Sequence, residues 1–125
     1  MTRKEKIIVV AGEFDSFDYY DLSFLHKCKS MGDWLIVGIH SDMFMEFCRG
    51  GMKYPYVARK QLIEEMKCVD EVFRFNDGDG TVCNLLKLVK YCYPMADITY
   101  ISDIDMQDMP ETKIRGINFK MLKQE

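Results

Sequence analysis

The stretch KIIVVAGEFDSFDYYDLSFLHKCKSMGDWLIVGIH, residues 6–40, decides the fold. It opens on a continuous apolar run, residues 6–11, rich in β-branched side chains. Such a run suits a strand covered on both faces, as in a parallel sheet. GEFDSFDYYD follows, with turn formers and acids among aromatic residues. From Asp21 onward apolar residues recur every three positions (Leu22, Leu25, Cys28, Met31), the spacing of a helix face. Asp18 or Asp21 would cap that helix by accepting hydrogen bonds from its free backbone N–H groups. Gly32 is the expected stop, because glycine takes positive φ without strain. WLIVGIH, residues 34–40, is a second buried strand. Strand, turn, helix and strand in so short a span make a βαβ unit, which requires parallel strands and a right-handed crossover.

The pattern continues outward. Residues 41–56 are mixed and contain Arg49-Gly50-Gly51, which reads as a stretch holding a mobile loop. A helix is expected near residues 57–68, with Leu62, Ile63 and Met66 on one face, and a short third strand over residues 69–73. NDGDG, residues 76–80, is a loop signal. Thr81 is a candidate cap for a helix turning Val82, Leu85, Leu86 and Val89 inward, and Pro94 ends that region. Residues 98–101 are a fourth strand, and residues 114–122 are compatible with strand or helix. With no internal repeat and no linker, residues 1–125 form one domain. The expected class is α/β, a Rossmann-like doubly wound parallel sheet in three α/β/α layers, with its site at the carboxyl ends of the first strands.

Composition narrows the function. A chain of 125 residues that is 48% hydrophobic is ample for one core. A formal net charge of -3 removes the usual electrostatic reason to expect nucleic acid. The tight basic cluster Arg3, Lys4 and Lys6 reads as a solvated terminus. Residues 7–11 are too short for a secretory h-region or a membrane span, so the expectation is a cytoplasmic protein with no membrane partner. The five cysteines show no C-x-x-C spacing. Cys28, Cys68 and Cys83 are expected to be small buried hydrophobes in a reducing compartment. Several of the ten methionines fall on apolar helix faces as gap-fillers, with a Met-rich binding surface the alternative.

Several motifs, in order and at the right spacing, resemble the cytidylyltransferase-like family of nucleotidyltransferases. GEFDSF, residues 12–17, looks like the family's G-x-F-D-x-F opening. LHKCKSMGDWLIVGIHSD, residues 25–42, resembles its helix followed by G-D-x-L-I-V-G-x-x-S-D. Arg59 falls where the family has an arginine at the start of the next helix, and CVDEV, residues 68–72, matches x-V-D-x-V. The resemblance spans residues 7–93. It implies a Rossmann-like fold, often a homodimer, and transfer of a nucleotide from a triphosphate, CTP first among them, to a phosphorylated small molecule with release of pyrophosphate. It assigns nucleotide contacts to Gly12, Glu13, Phe14, Asp15 and Arg59. MPETKIR, residues 109–115, matches the family's last motif, I-S-[ST]-[ST]-x-I-R, at Thr112, Ile114 and Arg115, which would add Thr112 and Arg115 to the contacts. In the alternative register residues 114–119 form a late strand instead.

The chain departs from the family where the chemistry is most demanding. Joining two phosphates requires donors and cations that stabilise the charge growing in the transition state. The family supplies two imidazoles from H-x-G-H, just before the first helix. Here those positions read Asp18-Tyr19-Tyr20-Asp21. Two unit charges 4 Å apart interact by roughly 4 kcal/mol at an effective dielectric near 20, so reversing the sign of both contacts costs several tenfold steps in rate. Tyr20 adds bulk where the family has glycine, and Glu13 adds another acid. The family's lysine falls on Cys48, leaving Arg49 as the candidate substitute. A glycine-rich G-G-D element reads Ile101-Ser102-Asp103.

Three readings follow. In the first, Asp18 and Asp21 mark impaired transfer chemistry, and the domain is kept to bind a protein partner or a ligand. In the second, Asp15, Asp18 and Asp21 hold Mg²⁺, which inverts the local charge and preserves an active nucleotidyltransferase. In the third, the acids recognise a cation or a hydroxyl-bearing small molecule on the same fold. Local roles compete at single positions: a strand-end turn for Gly12, caps or turns for Asp15 and Asp21, and a solvated helix position for Arg59. Structural roles also compete for His26 and His40, and turn roles for Asp77 and Asp79.

Overall fold

The computed structural model describes residues 5–123. Five strands, β1 (Lys6–Gly12), β2 (Trp34–Ile39), β3 (Glu71–Arg74), β4 (Asp97–Ser102) and β5 (Ile117–Met121), form one sheet in the order β3-β2-β1-β4-β5. Every pairing is parallel: Ile7 lies opposite Trp34 on one side and Ile98 on the other, and Ile98 lies opposite Ile117. The helices among the described residues are α1 (Tyr19–Lys29), α2 (Asp42–Arg49), α3 (Tyr56–Glu64) and α4 (Cys83–Cys92), with a 3₁₀ turn at Pro110–Lys113.

The apolar run in β1 is explained by two cores. Ile7 and Val9 pack with Leu85, Leu86 and Val89 of α4, while Ile8 and Val10 pack with Leu25 and Cys28 of α1 and Ile63 of α3. Successive residues point to opposite faces, so a strand sandwiched between helix layers must be apolar throughout. The chain runs from β1 to β2 on one side and returns to β4 on the other. The carboxyl ends of β1 and β4 are therefore the point where the strand order reverses, the usual place for a ligand in an open α/β sheet.

Several local expectations change. Gly32 does not end α1; the helix stops at Ser30 in ordinary right-handed geometry. Gly32 is required by crowding instead, since a Cβ there would lie 2.8 Å from both the Lys6 carbonyl oxygen and Ile8 Cγ1. The stretch read as holding a mobile loop contains α2, with Ser41 Oγ accepting from Phe44 N–H as its cap and Gly50 at φ +76 ending it. This helix was hidden because its large apolar residues Met43 and Phe47 face outward and only Met45 is buried, so no inward stripe marks it. The third helix ends at Glu64, short of residue 68. The N-cap of α4 is Val82 rather than Thr81: the Val82 N–H donates to Glu111 Oε2, and Thr81 Oγ1 accepts from Cys83 N–H. Cys28 is buried, whereas Cys68 and Cys83 are only partly so. The tail resolves as the 3₁₀ turn followed by β5, so residues 109–115 do not begin a helix. Arg3 and Lys4 lie outside the described residues. No helix among those described is long and apolar enough to cross a membrane.

Candidate functional site

A cleft of about 710 Å³ opens at the switch point. Its walls are the loop after β1, the end of β2 with α2, and the segment from Tyr100 to Glu111. Gly12, Glu13, Phe14, Asp15, Asp21 and Arg49 all line it; Asp18, Arg59, Thr112 and Arg115 do not.

Phe14 sits at φ 54, in the left-handed region that side chains other than glycine rarely adopt. This turns its ring back over Gly12, where a Cβ would come within 2.9 Å of two ring carbons. Gly12 is thus fixed by the fold of the loop itself. Asp15 anchors the loop to the chain after α2, accepting from Lys53 N–H at 2.7 Å and Tyr54 N–H at 2.8 Å. The Lys53 N–H above all holds the Asp15 carboxyl below its ordinary range.

Asp18 and Asp21 form a capping box at the start of α1. Asp18 Oδ1 accepts from Asp21 N–H at 3.1 Å, and Asp21 Oδ2 accepts from Asp18 N–H at 3.0 Å. The three acids do not converge: among the described residues no three His, Cys, Asp or Glu side chains come together in a way that could hold a metal. Arg49 reaches Glu13 with a forked contact, Nε to both carboxylate oxygens and Nη2 to Oε2 at 2.6 Å.

Arg59 is neither solvated nor on the cleft wall. It is 1% exposed, the largest fully buried side chain of the described residues. Its guanidinium donates to the carbonyls of Tyr54, Glu13 and His40 and to Asp42 Oδ1, all within 3.0 Å. It thereby locks the β1 loop, the end of β2, the start of α2 and the loop before α3 into one frame. Thr112 donates its hydroxyl to the Met109 carbonyl inside the 3₁₀ turn, and Arg115 is exposed before β5.

Two features escaped the sequence. His40 Nδ1 lies 2.9 Å from Asp77 Oδ2, and the ring stacks on Phe44 at 3.8 Å. Asp77 also accepts from Ser41 N–H and Oγ–H. Burial works to raise the Asp77 carboxyl, but the hydrogen bonds from Ser41 and then His40 outweigh it and leave it below its ordinary range. Glu111 is 5% exposed, gives Oε2 to α4, and leaves Oε1 without a hydrogen-bond partner. Asp77 sat in a glycine loop that reads as a turn in preference to a metal loop, and Glu111 in a segment whose register was open. His26, by contrast, lies exposed on α1. The cleft is therefore lined by Glu13, Asp15, Asp21, Asp103 and Glu111 against one arginine, already paired, and His40.

No family model matches the chain. Proteins and structures do. The bifunctional protein HldE of Helicobacter pylori strain 26695 is 38% identical over 90 residues, 70% of this chain. Glycerol-3-phosphate cytidylyltransferase of Bacillus spizizenii is 29% identical over 82 residues, 66% of this chain. The chain spans 19% of the length of HldE and 64% of that of the cytidylyltransferase. The crystal structure of the lipopolysaccharide core biosynthesis protein from Thermoplasma volcanium superimposes with a TM-score of 0.72 over 97% of both chains, at 21% identity. The chain is similar to cytidylyltransferase-like proteins in sequence and has an α/β fold of the same kind as its structural neighbour.

The cleft stands where the resemblance to cytidylyltransferase-like proteins puts it, and its wall is predominantly acidic. Asp18 and Asp21, where the resemblance puts the two family imidazoles, each accept from the other's backbone N–H. Cys48, where the resemblance puts the family's lysine, is exposed on α2 and does not line the cleft. Arg49 beside it does line the cleft, with its guanidinium held by Glu13.

Proposed function

We propose that this cytidylyltransferase-like domain has impaired nucleotidyl transfer and keeps its switch-point cleft as a binding site for a small ligand. The observation that carries the reading is the capping box. Asp18 and Asp21 replace two triphosphate-contacting imidazoles with negative charge, and each is committed to the α1 backbone. A triphosphate entering the cleft would meet five acidic side chains with one paired arginine to offset them. Each close like-charge contact costs on the order of 4 kcal/mol at an effective dielectric near 20. The Mg²⁺ alternative has no three-carboxylate cluster to draw on among the described residues.

The test is pyrophosphate release with CTP, Mg²⁺ and glycerol 3-phosphate, paired with a CTP titration of the wild type and of Asp18→His/Asp21→His. The expected outcome is background turnover by the wild type and at least about tenfold tighter CTP binding by the double variant, a change of ~1.4 kcal/mol. Circular dichroism confirms that α1 survives loss of its cap. Robust Mg²⁺-dependent turnover by the wild type would overturn the reading.

A further inference from the structure

The chemistry of the ligand follows from two buried groups in the cleft wall, given the reading that the cleft has given up the triphosphate. The first is His40, 9% exposed. The Asp77 carboxylate accepts from Nδ1–H, so in the neutral ring Nε2 is an acceptor. No described residue bonds to Nε2, and the ring is part of the cleft wall. The second is Glu111. Its Oε2 serves α4, and its Oε1 is buried with no donor near it. A buried carboxylate oxygen without a partner is costly, and native structures seldom leave one unexplained. The two groups come from different elements, the end of β2 and the turn before β5, and both present acceptors. Asp103 adds an exposed carboxylate to the same wall, while Tyr100 and Met106 supply an apolar surface.

We infer that the cleft binds a small organic cation bearing N–H donors, a primary amine or a guanidinium, with His40 Nε2 and Glu111 Oε1 as its acceptors. The charge of the ligand is matched by the acidic wall. Its donors meet His40 Nε2 and satisfy the orphaned Glu111 oxygen, and its hydrocarbon rests on Tyr100 and Met106, where an aromatic face also favours a cation. A phosphate brings negative charge to an acidic wall and chiefly acceptors to two acceptors.

Calorimetric titration of the full chain with putrescine and agmatine tests this, with tetramethylammonium as a cation lacking donors and all at matched ionic strength. At least one amine is expected to bind and tetramethylammonium is not. Glu111→Gln keeps an oxygen for the Val82 N–H but turns the orphaned acceptor into a donor. His40→Phe keeps the stack on Phe44 but removes Nε2. Each should weaken amine binding by about tenfold or more, the worth of a hydrogen bond to a charged group. The exposed Asp103→Asn should weaken it less and keeps the test alive if a wall variant fails to fold. Equal binding of tetramethylammonium overturns the inference, as does amine binding untouched by both wall variants. Silence from both amines overturns it while leaving the loss of nucleotidyl transfer standing; CTP turnover would overturn both.

Discussion

Arg59 shows how far one side chain can depart from its reading in sequence. Position and type suggested either a nucleotide contact or a solvated helix residue, yet its four hydrogen bonds all go to the protein. Nothing in the sequence reports this, because three of its acceptors are backbone carbonyls, which every residue carries. Arg59→Met should destabilise the domain by about 3 kcal/mol, since it strands those carbonyls and removes the partner of Asp42. Thermal denaturation should show a fall of roughly 10 °C, and Arg59→Lys should recover little of it because an ammonium lacks the planar fork. Asp77 carries the pH dependence at this scale. Its folded-state carboxyl lies below the ordinary value near 4, so the stability it contributes is complete above about pH 4 and is lost as pH falls through the lowered folded value. Asp77→Asn should therefore be less stable than wild type at pH 7 and should flatten the acid limb in denaturant titrations between about pH 2 and pH 5. An unchanged acid limb would assign that limb to other carboxylates.

At the scale of elements, legibility followed burial. The β1–α1–β2 unit could be read because both strands are continuous apolar runs buried on both faces, while α1 buries one face at helical spacing. The α2 helix could not, since Met43 and Phe47 point to solvent and Gly50-Gly51 resembles a loop. The tail was open for a related reason: β5 is an edge strand with only Ile117 buried, so its pattern is weak. Packing between elements is written in glycines that look unremarkable in sequence. A Cβ at Gly38 of β2 would lie 2.4 Å from Leu85 Cδ2 and 2.9 Å from Cδ1, with Phe75 at 3.1 Å. Gly38→Ala therefore forces Leu85 to shift, and overpacking of this kind costs about 1–3 kcal/mol. Urea denaturation of Gly38→Ala measures it. A neutral result would mean that Leu85 changes rotamer without loss. On α1, Asp18→Ala should cost about 1 kcal/mol as a lost cap, while Asp18→Asn, which keeps an acceptor, should cost little.

The whole molecule is a parallel sheet buried between helix layers, and its cysteines give a graded probe of how that body opens. The family resemblance anticipated the sheet and the place of the cleft, because those depend on motifs in order along the chain. It did not anticipate the His40–Asp77 pair or the orphaned Glu111 oxygen, because those depend on how residues 37 and 29 positions apart meet in the fold. Thiol reactivity tests the same long-range architecture directly. Cys48 and Cys92 are exposed, Cys68 and Cys83 partly buried, and Cys28 is 0% exposed in the core between α1 and the sheet. Burial first, and then the neighbouring Cys68, pushes the Cys28 thiol up to about 12, so it is neither accessible nor ionised in the folded state. The thiolate is the reactive form, so with a disulfide reagent at pH 8 two thiols should react fast and two more slowly. The fifth, Cys28, should react only through opening of the whole domain. Its rate should rise in parallel with the unfolded fraction as urea is added, and Cys28→Ser should remove that slowest phase while leaving the four others in place. If Cys28 instead reacts as fast as Cys68 in the absence of denaturant, the α1 layer detaches from the sheet without global unfolding, and the domain is not one cooperative unit.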